Sequence, residues 1–150
     1  MKKYFSLVAL LVISFSIANN GILKAEDSSL SSAPLAGPQD KNLGIGPVKK
    51  LVLGPIDKKM VEEGKALYTA QCIVCHDMDQ KKIGPALKNV TKMRTPEYLM
   101  NVLLNSAQMQ KEDPTMKALL KEYNNMPMPD PGFNQAKARA VVEYLRSVAK

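Results

Sequence analysis

From residue 55 onward the apolar positions of this chain recur at three- and four-residue intervals, and no stretch of useful length alternates strictly between apolar and polar. The first rhythm lines one face of a helix, whereas the second would mark a strand. Asp57 is placed to cap a helix through KKMVEEGKALYTAQ, where Met60, Gly64, Leu67 and Tyr68 share a side. Thr95-Pro96-Glu97 offers a cap residue, a proline suited to the first helical position and an acid in the first turn, and opens YLMNVLLNSAQM. Asp113-Pro114 repeats that logic before TMKALLKEY. Asn134 heads QAKARAVVEYLRSVAK, with Ala138, Val141, Val142, Leu145 and Val148 as the apolar stripe. The pattern predicts an all-α domain of four to five short helices. Helices this short are marginal in isolation, so something central must organise them.

The chain before residue 55 reads differently. MKKYFSLVALLVISFSIANN pairs Lys2 and Lys3 with a short apolar run and small residues, the layout of an export signal. Residues 1–25 are expected to be that signal, with cleavage after Ala25 or after Ala18; an uncleaved N-terminal anchor is the alternative. A lipid anchor is excluded, because no cysteine follows the apolar run before Cys72. Residues 26–54 are dense in Ser, Pro and Gly and lack periodicity, which predicts a flexible tether leading to a folded domain at 55–150.

The charge changes once the leader is set aside. The formal net charge is +7. Without Lys2, Lys3 and Lys24 it becomes 18 cationic side chains against 14 acidic ones. A modest, dispersed excess suits docking on an acidic protein surface and argues against nucleic-acid binding. Aromatic residues make up only 5% and Trp is absent. The core therefore lacks bulky filling that a large cofactor would supply.

The only two cysteines and the only histidine of the chain stand together in Cys72-Ile73-Val74-Cys75-His76. This is the attachment signature of c-type haem: two thiols reach the two vinyl groups along one porphyrin edge, and the adjacent imidazole falls under the iron. A zinc site would need further Cys or His ligands, which the sequence lacks. A thioredoxin-like dithiol would expect a βαβ context, and a disulfide across two residues is strained.

With CIVCH, the segments Gly64-Lys65-Ala66-Leu67-Tyr68 and Ile83-Gly84-Pro85-Ala86-Leu87 resemble motifs of the class I cytochrome c family. The match spans roughly Pro55 to Lys150. It implies a cytochrome c fold wrapped around one covalently attached haem c. Gly64 would permit close crossing of the first and last helices, against Val141, Tyr144 and Leu145. The carbonyl of Pro85 would accept a hydrogen bond from His76 and fix its orientation. The sixth ligand would be a methionine before the last helix. Both Met126 and Met128 precede proline. Met128 is favoured, because it lies 16 residues before Tyr144 and MPDPGFN resembles the segment that follows the ligand in bacterial relatives. Pro127 and Pro129 would stiffen the flanking backbone. Met60, Met93, Met100, Met109 and Met116 read as packing residues. Lys81, Lys82, Lys88, Lys92 and Arg94 form either a docking ring around the haem edge or an ordinary solvated face.

The expected function is electron transfer in the bacterial periplasm through a single His76/Met128-ligated haem, between a membrane donor complex and a terminal reductase or oxidase. Residues 94–125 resemble an insert associated with cytochromes that serve respiratory reductases, nitrous oxide reductase among them. Neither a small-molecule substrate nor a nucleic acid is expected, and membrane contact only if the leader stays uncleaved. The competing reading is a gas-sensing or peroxidase-like haem protein with an open sixth position. A third makes the domain a fixed subunit held by its N-terminus.

Overall fold

A computed structural model describes residues 41–150. The expected export signal lies outside the described residues. Among the described residues six α-helices appear in chain order: α1 (Lys58–Leu67), α2 (Val90–Met93), α3 (Pro96–Leu104), α4 (Ser106–Glu112), α5 (Pro114–Glu122) and α6 (Gln135–Val148). A π-helical turn, Tyr68–Cys72, extends α1. No strand occurs among the described residues, and none of their helices is long and apolar enough to cross a membrane.

The cap residues act as their chemistry requires. The side chain of Asp57 accepts from Met60 N, Thr95 from Tyr98 N, Asp113 from Met116 N and Asn134 from Lys137 N. Two details depart from the sequence reading. The single helix expected over YLMNVLLNSAQM is two, α3 and α4, parted at Asn105 (φ −151°, ψ 43°). Asn105 donates its amide to Ile45 O and Gln108 Oε1, the side-chain competition that makes asparagine a poor interior helix residue. The single turn α2 is a further departure and brings the count among the described residues to six.

The core joins α3, α4 and α6 through Tyr98, Leu99, Leu103, Met109, Val141, Val142 and Leu145. α1 crosses α6 at a point where two backbones nearly touch: a Cβ on Gly64 would lie 2.0 Å from Ala140 O and 2.9 Å from Tyr144 Cβ. The closest neighbour is thus the Ala140 backbone, with Tyr144 beside it. Glu143, fully buried on α6, binds Arg139 and Arg146 at 3.0 and 2.7 Å and accepts from Asp57 N at 3.1 Å, pinning the start of α1.

Residues 42–54 are not the flexible tether that their composition suggests. Residues 42–51 form a strap laid over α3 and α4 and Gly54 O accepts from Arg146 on α6, so the packed unit begins near Asn42 instead of Pro55. The strap has few partners of its own and is held by side chains from elsewhere. The fully buried Asn101 accepts from Val48 N at 2.9 Å and donates to Leu43 O and Val48 O at 2.8 Å. Thr95 donates to Asn42 O, Glu97 accepts from Leu51 N, and Ile45 N meets Met109 Sδ at 2.9 Å. Replacing Asn101 by alanine removes three hydrogen bonds and strands the Val48 amide. We expect a loss of about 2 kcal/mol in denaturant unfolding.

Candidate functional site

The residues that the sequence singled out meet at one cleft of ≈ 280 Å³. Cys72, Cys75, His76, Pro85, Met126 and Met128 all line it, with Leu99, Val102, Leu103, Val141 and Leu145 supplying apolar wall. Each functional side chain is placed by a local device. The π-helical turn closes with Ile73 N donating to Tyr68 O at 3.1 Å, and the chain then doubles back so that Cys75 N and His76 N both donate to Cys72 O. Tyr68 braces the turn: its hydroxyl donates to His76 O at 3.1 Å and its ring packs on Tyr144, centroids 5.5 Å apart. The two cysteines are not bonded to each other. Burial, and secondarily the neighbouring Cys75, pushes the Cys72 thiol above its ordinary range.

The imidazole of His76 is fixed by two neighbours. Its Nδ1 lies 2.8 Å from Pro85 O, and a carbonyl can only accept, so Nδ1 carries the proton and Nε2 keeps its lone pair. Burial pushes the His76 pKa below its ordinary value, opposed by the hydrogen bond to Pro85. The neutral ring is the form that ligates metals. Gly84 also lies close to the ring: an added Cβ would sit 2.5 Å from Cε1 and 2.9 Å from Nδ1. Gly84 N also donates to Cys75 O at 2.8 Å, so the segment that carries Pro85 is stitched to the cysteine turn. Gly84→Ala is expected to tilt the ring or push back Pro85, lowering stability by about 1–3 kcal/mol in denaturant unfolding.

The two candidate methionines occupy different surroundings. Met126 is 57% exposed, whereas Met128 is half-buried and packs against the core cluster. From residue 124 to 130, Met128 alone is not exposed. The loop leaves α5 through Asn124 and Asn125, both left-handed with φ of 57° and 55°, a conformation asparagine tolerates better than most residues.

The cations divide. Lys81 and Lys82 are exposed near the cysteine turn; Lys82 Nζ donates to Ile73 O, and Lys81 meets Glu122 at 3.6 Å and the Tyr123 ring at 4.2 Å. Lys88 pairs with Asp79. Lys92 lies at a separate cleft with Leu53 and Arg146. Arg94 is not a surface cation at all: it is buried, with its guanidinium 5.3 Å from the Tyr98 ring, and it lines the main cleft. A second group escaped the sequence reading. Ile73, Val74, Ile83 and Met126 are exposed apolar residues, between 45% and 63% accessible, at or beside the cleft. Only tertiary placement could gather them.

The donor set fits haem. Two thiols, one neutral imidazole with a committed Nδ1 and a thioether line an apolar cleft, and a buried guanidinium on its wall suits a flat apolar group that also carries carboxylates.

The family model described as cytochrome c matches residues 61–149. No curated protein matches the chain. Among solved structures, cytochrome c from Rhodothermus marinus is similar at 46% identity and a TM-score of 0.67, covering 69% of this chain and 90% of that one. An engineered form of the Rhodothermus marinus protein, bound to a carbene intermediate, is 44% identical with a TM-score of 0.64 over the same shares. The cytochrome c domain of the pp3183 protein from Pseudomonas putida is 29% identical with a TM-score of 0.51, covering 56% and 85% of the two chains.

Proposed function

Because the chain belongs to the cytochrome c family and is a haem electron carrier with one covalently bound haem c, we propose that Cys72 and Cys75 would form the two thioether bonds and that His76 and Met128 would hold the iron. The observation that carries this reading is the meeting of both thiols, the Pro85-oriented imidazole and the half-buried Met128 on the walls of one apolar cleft.

Haem, when bound, supplies a reversible one-electron couple. The chain does the rest. Pro85 and Gly84 hold His76 in one tautomer and one orientation, so its Nε2 needs no rearrangement between oxidation states. The Met128 thioether, as a soft donor, would favour the lower charge on iron and so raise the potential relative to two imidazoles. The apolar wall of Leu99, Val102, Leu103, Val141 and Leu145 acts in the same direction, because a low-dielectric site disfavours the more charged state. With His76 and Met128 both holding the iron, a small molecule would have to displace a side chain to bind.

The apolar rim of Ile73, Val74, Ile83 and Met126 beside Lys81 and Lys82 offers a small, weakly cationic surface, suited to brief contacts with redox proteins. We place the carrier in the periplasm, exported by residues 1–25, between a membrane donor complex and a terminal reductase, nitrous oxide reductase among the candidates, or an oxidase. The reading is tested by the ferric and ferrous spectra of protein made in a host with c-type haem maturation. A low-spin ferric spectrum with a weak far-red sulfur-to-iron band is expected. A high-spin spectrum with ready carbon monoxide binding would overturn it in favour of an open-site haem protein.

A further inference from the structure

We propose that Gln110 is the positioning residue that holds Met128 on the iron, through a two-point clamp between its side-chain amide and the Met128 backbone. The proposal rests on the assignment of Met128 as axial ligand and goes beyond it to the device that keeps the ligand in place.

Pro127 and Pro129 have no N–H, so Met128 carries the only backbone donor in the stretch 127–129. That donor reaches Gln110 Oε1 at 2.7 Å, and Met128 O accepts from Gln110 Nε2 at 2.8 Å. Both backbone groups of the ligand residue are thus taken by one side chain, as a neighbouring strand would take them. The flanking Met126 N is satisfied locally, by Tyr123 O at 3.0 Å.

The clamp is itself anchored. Gln110 Nε2 also donates to Ser106 O at 3.0 Å, so both amide protons are used and the amide has one orientation. Gln110 stands on α4, next to the fully buried Met109, and α4 is tied to the strap through Ile45 N to Met109 Sδ and Asn105 to Ile45 O. An irregular loop is therefore referenced to a packed helix 18 residues away in sequence. The chemistry selects glutamine. Glutamate would turn the donor facing Met128 O and Ser106 O into an acceptor, and asparagine is one methylene shorter.

A clamp of this kind sets how readily an external ligand displaces the thioether. The experiment is imidazole titration of the ferric, haem-loaded protein, followed through the far-red band, for the wild type, Gln110→Ala, Gln110→Glu and Asn134→Ala. The last removes a helix cap whose side chain does not line the cleft and reports what general destabilisation does. Loss of two hydrogen bonds predicts apparent imidazole affinity tighter by on the order of tenfold in Gln110→Ala. Gln110→Glu should lie between it and the wild type, and Asn134→Ala should match the wild type. Unchanged affinity in both Gln110 variants overturns the clamp, as does an equal rise in Asn134→Ala. Should the far-red band survive in Met128→Ala, the ligand assignment falls first and the clamp with it, an outcome distinct from either.

Discussion

Met128→Ala is expected to abolish the far-red sulfur-to-iron band, open the sixth position to carbon monoxide and lower the reduction potential by at least about 0.1 V, within the roughly 0.8 V range over which axial ligands act. The structural grounds are the half-burial of Met128 against the core and its place on the cleft wall. Removing the thioether takes away the soft donor that favours the lower charge and admits water, which favours the higher one. Both effects lower the potential, and spectroelectrochemical titration reads their sum. Met126→Ala is the contrast. Met126 is 57% exposed, and its loss should leave the far-red band in place. If Met126→Ala removed the band and Met128→Ala did not, the two assignments would be exchanged.

The second large effect is on stability. Gly64→Ala adds one methyl group to an exposed-looking helical sequence, where alanine would ordinarily stabilise by roughly 1 kcal/mol. Here the new Cβ would lie 2.0 Å from Ala140 O and 2.5 Å from its carbonyl carbon. Backbone cannot rotate away as a side chain can, so α1 and α6 must separate. Separation would loosen the Tyr68–Tyr144 contact and disturb the hydrogen bond from Asp57 N to Glu143. We expect a net loss of about 3 kcal/mol or more, at the upper end for overpacking. In a domain of this size that lowers the thermal midpoint by more than about 10 °C, measured on the haem-loaded protein by circular dichroism. A midpoint equal to the wild type would mean that the helices do not cross so closely.

Motifs whose causes are local could be read directly. Asp57, Thr95, Asp113 and Asn134 cap the helices that follow them, because a cap bonds a backbone amide only three residues on. CIVCH is legible for the same reason, since both thiols and the imidazole belong to one turn. The proximity of Pro85 to His76 was reached through family resemblance and is seen at 2.8 Å. The break at Asn105 was hidden, because the apolar period continues through it while the side chain is drawn to Ile45 of the strap.

The all-α class, the starts of α1, α3, α5 and α6 and the haem-attachment pentapeptide were thus determined by the sequence alone, through propensities and spacings that act within a few residues. Tertiary structure decided the rest. It laid residues 42–51 onto Asn101, 53 positions away from Val48, where composition suggested loose chain. It buried Arg94, exposed Met126 while half-burying Met128, and set Gln110 against the Met128 backbone. None of these has a local signature: each depends on a partner that the chain meets only after α1, α3, α4 and α6 have packed, and burial is a property of that packing, not of the residue.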